Sequence, residues 1–214
     1  MTTKKNVLSP LKLDLGASAL LGTIAGSFAS ITLANLAVLG TVILGITISA
    51  PLIIGGFIIV CMVGVLVGRL LAKYLPIMYN FVKFGEAGGQ NWLVDMGIVN
   101  LLILLTGVST GLYFAVFKGI SFLVAATNSF FWSKLWVFRG SAKQDQKKEV
   151  GKFAAATILG MGINIALAYS ITLVGPTLYS GIDPKLWANI ATICGSLSAM
   201  IFNFVLYKLW VFKA

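Results

Sequence analysis

Asp95 is the residue whose type and position most invite chemistry. It lies inside an apolar run, and the nearest other charged residues are Glu86 and Lys118. The run begins near residue 85, so Asp95 is about ten residues in, about 15 Å at 1.5 Å per residue. That is close to the midplane of a hydrocarbon layer about 30 Å thick. A carboxylate there costs on the order of 2.5–3.5 kcal/mol on insertion scales, and such groups mark pathways for protons or polar cargo. Phe84, Gly88, Asn91 and Asp95 follow i, i+4, i+7, i+11, one helical face that is predicted to look into a bundle. Asn91 has a counterpart in Asn164. For both, two readings stand: hydrogen-bonding glue between helices, or a polar lining for cargo. Lys118 likewise either snorkels at the outer end of its span or pairs with Asp95. Glu86, near an interface, is expected to pair with Lys83 or Lys152. Lys134 and Lys208 each close an apolar run and are placed to attract an anionic lipid headgroup.

Other chemistries are poorly represented. The chain has no histidine and only two cysteines, Cys61 and Cys194, each within an apolar run. They suggest neither a disulfide framework nor a metal site, and small buried hydrophobes is the simpler reading. The longest polar loop, Arg139 to Lys152, has fourteen residues, too few to fold around a nucleotide-sugar. No enzyme, cofactor or metal is therefore expected. The net charge of +10 invites a nucleic-acid reading, but the basic residues flank apolar runs, as they do on the cytoplasmic side of membrane proteins.

The elements that must position these residues follow from hydropathy. Of 214 residues, 58% are hydrophobic and the mean hydropathy is +0.97, more apolar surface than a soluble domain can hide. Six spans are predicted, at about 20–47, 52–73, 85–107, 113–134, 153–175 and 186–208. Ser49-Ala50-Pro51 is expected to turn the chain between the first two, and Tyr74 to Phe84 to form an amphipathic linker. Gly107 to Gly111 reads as a tight connection, and Pro176 to Pro184 as a loop. The first span lacks a cleavage motif and reads as an uncleaved anchor.

A repeat organises the second part of the chain. Residues 129–138 read SFFWSKLWVF and residues 203–212 read NFVLYKLWVF, identical at six of ten positions. Each is expected to end a span with a snorkelling lysine and an interfacial indole, Trp136 or Trp210. Asn91 lies 43 residues before Lys134 and Asn164 lies 44 before Lys208, so the duplication reaches upstream. With both termini cytoplasmic, fourteen of the sixteen Lys and Arg face that side, all but Lys118 and Lys185. The two hairpins then become parallel repeats about an axis along the membrane normal. Small-polar stripes mark the fourth span (Lys118, Ser121, Ala125, Ser129, Trp132) and the sixth (Thr192, Ser196, Ala199, Asn203).

The stretch KFGEAGGQNWLVD, the following turn, and the two KLWVF endings resemble the GtrA-like family of small polytopic membrane proteins. The resemblance covers about residues 81–212. Ser133 and Tyr207 stand where that family usually has Asn before the basic residue, and Glu86 stands where it is usually apolar. The fold expected is an all-α membrane protein of six transmembrane helices, N-in/C-in. Residues 1–75 form a basic segment and hairpin. Residues 76–214 form a duplicated four-helix GtrA-like core, with repeats at about 81–138 and 152–212. The resemblance implies flipping of a polyprenyl-phosphate-linked saccharide across the cytoplasmic (inner) membrane, for cell-envelope glycan synthesis or modification. Asn91, Asp95, Asn164, Lys118, Lys134 and Lys208 are the expected substrate contacts. The partners are then membrane lipid and the polyprenyl-phosphate-linked sugar, with no nucleic acid. The alternative is a non-catalytic subunit that anchors or activates a glycosyltransferase through the Arg139–Lys152 loop. A bundle this small is compatible with a homodimer, though no motif fixes the interface.

Overall fold

A basic, polar start gives way to helix earlier than hydropathy alone suggests. In the computed structural model, which describes residues 9–137 and 147–206, helix α1 runs Leu11–Asn35. Pro10 precedes it with φ −55°, already suited to a helix start. The chain then leaves helix, and a short antiparallel ribbon pairs β1 (Val42–Ile43) with β2 (Ile46–Thr47). The expected first span at 20–47 is thus corrected at both ends. Residues 41–48 are apolar enough to extend a hydropathy run, but β-branched residues flank Leu44-Gly45, whose φ values are +51° and +78°. Positive φ at both central residues is the geometry of a tight hairpin turn.

Helix α2 spans Ala50–Leu71, with extended Ser49 before it and Pro51 in its first turn. Helix α3 spans Ile77–Thr106 and α4 spans Gly111–Trp132. The Tyr74–Phe84 linker is therefore mostly helix, and only a short connection separates α2 from α3. A π-helical turn, Ser133–Val137, extends α4. Helix α5 runs Lys147–Leu178, passing through Pro176 rather than ending before it, and α6 runs Pro184–Leu206. Among the described residues six helices are long and apolar enough to cross a membrane. The protein is an all-α, multi-pass membrane protein.

Two compact units divide the helices, and their boundaries pass through α3 and α4: Met1–Gly97 with Ala125–Gly140, and Ile98–Val124 with Ser141–Ala214. In the first unit α1 and α2 touch backbone to backbone. A Cβ built on Gly22 would lie 2.6 Å from Ile58 Cα, and one on Gly26 would lie 2.6 Å from Ile54 Cα. This Gly-x-x-x-Gly face permits the close crossing typical of membrane helices. Gly97 of α3 packs on Phe28 of α1, and Gly68 of α2 on Val82 of α3. The core of this unit joins Leu21, Val65, Tyr79, Ala87, Trp136 and Val137.

In the second unit Val99, Ile103, Phe114, Phe117, Ala168, Ala188 and Ala191 form the core. Gly175 of α5 lies under the Trp187 ring of α6, and Gly195 of α6 lies against Asn164 and Ala168 of α5. Asp183 starts α6: its side chain accepts from the Lys185 amide at 2.7 Å, and its carbonyl accepts from Leu186 and Trp187. An Asp at this position satisfies donors that the first turn leaves open.

Candidate functional site

The densest polar constellation lies in the first unit and centres on Asp14, which is completely buried in the first turn of α1. Its Oδ1 accepts from Ser9 Oγ at 2.5 Å, Lys83 Nζ at 3.2 Å and Trp136 Nε1 at 3.3 Å. Its Oδ2 accepts from Arg69 Nη1 at 2.6 Å and from the Tyr79 hydroxyl. Each donor has a local reason to be there. Arg69 lies in the last turn of α2, where a cation suits the helix dipole. Tyr79 and Lys83 are one turn apart on α3. Trp136 is brought in by the π-helical turn, which rotates Trp136 and Val137 inward and leaves Lys134 and Leu135 exposed.

Lys83 Nζ sits 4.9 Å from the Tyr79 ring centroid and 4.7 Å from that of Trp136. A buried ammonium is thus held by a carboxylate and two aromatic faces. One turn further along both helices, Ser18 Oγ donates to Glu86 Oε2 at 2.8 Å. Glu86 is tied to α1, and its buried Oε1 has no hydrogen-bond partner among the described residues; of its two expected partners, Lys83 pairs with Asp14, and the side chain of Lys152 lies outside the described residues.

The residues singled out by sequence distribute over both units. On α3, Phe84 and Gly88 are exposed, Asn91 is half-buried and Asp95 is buried. The buried face in that half of the helix instead carries Tyr79, Lys83, Ala87, Gln90 and Val94. Only the deeper end of the expected stripe turns inward. Asn91 accepts from Asn128 Nδ2 at 3.2 Å, and Gln90 accepts from the same amide at 2.8 Å. This links α3 to α4, as hydrogen-bonding glue would. Gln90 Nε2 is buried and has no hydrogen-bond partner among the described residues. Lys134 is exposed with its ammonium 5.5 Å from the Phe130 ring centroid. Trp136, expected as an interfacial anchor, is buried instead, and packs edge-on against Trp132.

In the second unit Lys118 is completely buried, which overturns the snorkelling alternative. Ser121 and Thr192 are equally buried, and Ala199 is buried too, while Ser196 is half-buried; of the part of the α4 stripe that lies in the first unit, Ala125 is buried and Ser129 and Trp132 are half-buried, so the stripes turn inward only in part. Asn164 is 1% exposed; its Nδ2 reaches Ser196 Oγ at 3.4 Å, and its Oδ1 has no hydrogen-bond partner among the described residues. Asn100 of α3 and Asn189 of α6 exchange hydrogen bonds at 2.9 and 3.0 Å. Lys208, Trp210 and residues 139–146 lie outside the described residues, as does the side chain of Asn203.

Residues 83–212 match the family model described as GtrA/DPMS, transmembrane domain. The chain belongs to this family. No curated protein and no solved structure matches it. The GtrA/DPMS match begins at Lys83, so α1, α2 and Tyr79 precede it. The Asp14 constellation therefore joins residues of the family domain, Lys83 and Trp136, to residues before it.

Sequence reasoning passed over three features. Asp14 fell ahead of the expected first span, and its partners are up to 122 residues away. Gly22-x-x-x-Gly26 was a readable packing signal. Asn100 and Asn189, each in an apolar run, were readable as polar glue.

Proposed function

We propose that this GtrA/DPMS protein translocates a polyprenyl-phosphate-linked saccharide across the cytoplasmic membrane, for synthesis or modification of cell-envelope glycans. The family match over residues 83–212 carries the reading. Buried polar groups within membrane-spanning helices support it. Among the described residues Gln90 Nε2 is an open donor and Asn164 Oδ1 an open acceptor. A buried amide group without a partner costs about 1–3 kcal/mol, and a sugar hydroxyl, both donor and acceptor, would offset that cost at either site. The prenyl tail stays in lipid, where it needs no protein contact. Lys134 and Lys208 are read as headgroup anchors at the ends of their helices. Residues 76–214 act as a duplicated core, with both termini cytoplasmic, as the distribution of Lys and Arg suggests. The protein is a transporter and not an enzyme: substrate bonds are neither made nor broken.

Reconstitution tests this directly. Purified protein in liposomes, loaded with a labelled polyprenyl-phosphate sugar, should expose label to an impermeant reagent faster than protein-free liposomes do. Protein that inserts yet leaves the label as protected as in empty liposomes would sink the reading. A glycosyltransferase that co-purifies and loses activity when the chain is removed would then favour the anchoring-subunit alternative.

A further inference from the structure

Asp14 satisfies a cage that it does not itself build. Five donors converge on its two oxygens, from Ser9, Arg69, Tyr79, Lys83 and Trp136. A carboxylate offers about four lone-pair sites, and Ser9 Oγ, 3.4 Å from Lys83 Nζ and 2.5 Å from the Tyr79 hydroxyl, shares the donors with it. Four of the donors belong to α2, α3 and the π-helical turn, and the acceptor to α1. The cage is a unit of three elements closed by a side chain from a fourth. Its two cations differ in exposure: the Lys83 side chain is buried, while that of Arg69 is 20% exposed. Lys83 is fixed between two rings, whereas Arg69 reaches Asp14 and the Ser9 carbonyl through Nη1 and lies over one ring, 5.8 Å from the Tyr79 centroid. An Arg fork beside a fixed ammonium, with hydroxyl and indole donors around them, suits a phosphoryl group, which presents three strong acceptor oxygens.

We propose that the Arg69–Tyr79–Lys83–Trp136 cage is a binding site for the phosphoryl group of a phosphomonoester, and that Asp14 is its resident plug. Displacing Asp14 frees the first turn of α1 and opens the site on the side of Arg69. Arg69 and Tyr79 precede the GtrA/DPMS match, so the site joins the N-terminal hairpin to the family domain and stands whether or not the chain moves lipid.

The test uses the full chain in nanodiscs of phosphatidylcholine, alone or mixed with phosphatidic acid, with retained lipid counted by native mass spectrometry. Asp14→Ala should bind phosphatidic acid at least about tenfold more tightly than the parent, since one charge-assisted hydrogen bond is equivalent to that much. Adding Arg69→Gln and Lys83→Gln should remove the gain. Asp14→Asn, which keeps the shape but sets an amide against the donors, should also gain. Inorganic phosphate with phosphatidylcholine discs separates the sources: the same gain there assigns the cage to a soluble phosphate, and no gain assigns it to a lipid. A folded Asp14 variant with no gain toward either probe overturns the proposal. If neither variant assembles, hydrogen exchange in the parent decides. Phosphatidic acid or phosphate should raise exchange at residues 9–16, and exchange unchanged by both is the overturning result.

Discussion

The indole of Trp136 donates to the carboxylate of Asp14 at 3.3 Å, although 122 residues separate them. The contact ties the end of α4 to the start of α1, and Trp136 also stacks over the Lys83 ammonium. Trp136→Phe removes the donor and weakens the stacking but keeps an aromatic ring. A hydrogen bond to a charged group contributes about 1.5–3 kcal/mol, so the variant should unfold at a clearly lower temperature in detergent. Trp132→Phe, which removes an indole only half-buried beside it, is the control and should cost less. Equal melting shifts for the two would show that the indole hydrogen bond contributes nothing.

The α1–α2 crossing makes a sharper demand. At Gly22 and Gly26 a Cβ meets backbone of the facing helix at 2.6 Å, and backbone cannot move aside as a flexible side chain can. Gly22→Ala and Gly26→Ala should each separate the helices and increase proteolysis in the loop at 36–49. Gly16→Ala is the comparison: nothing lies within 4 Å of its Cβ, and Ala favours helix over Gly by about 1 kcal/mol. Protease half-lives that rank Gly16→Ala with the other two would refute the close-packing account.

Asn100 and Asn189 hold α3 and α6 together in the second unit by exchanging hydrogen bonds. Asn100→Leu leaves Asn189 without that partner, and Asn189→Leu does the reverse. The double variant removes both polar groups and should regain part of the loss. A double-mutant cycle on unfolding free energy is expected to return a coupling of about 0.6 kcal/mol and at most about 1.7, the range for membrane hydrogen bonds. A coupling of zero would make the pair incidental.

The six helices were legible because each needs an apolar run of about 20 residues, and hydropathy records that without reference to partners. Boundaries were less so. The stretch at 41–48 is as apolar as a span, and only its β-branched residues around Leu44-Gly45 distinguish ribbon from helix. Trp136 was misplaced because a π-helical turn resets which residues share a face, and periodicity at 3.6 residues cannot foresee it. Along α3 the same arithmetic picked Phe84 and Gly88 as interior, one step around the helix from the buried Lys83 and Ala87. Asp14 was illegible for a different reason. A single acid near a basic terminus reads as solvated, and nothing local announces four donors arriving from elsewhere.

Asp95 is where sequence and structure bear on the proposed transport together. Val94, Asp95, Met96 and Gly97 are all buried. Four consecutive buried residues span more than one turn, so α3 is enclosed on every side at this level and Asp95 has no route to water by snorkelling. A leucine there would avoid the desolvation that a carboxyl meets in hydrocarbon. Under the proposed function, the acid is expected to serve the cargo. Asp95→Asn keeps the shape and an oxygen acceptor, and it should preserve assembly and part of the activity. Asp95→Leu keeps a similar volume without polar atoms; it should insert and fold but lose translocation in the liposome assay. The quantity to compare is the translocation rate per inserted molecule, with melting temperature measured on the same preparations. Asp95→Leu that moves the lipid-linked sugar as fast as the parent would make the carboxyl a structural residue. A slow Asp95→Leu with an unchanged melting temperature, and an Asp95→Asn between it and the parent, is the pattern that assigns Asp95 to the transported headgroup.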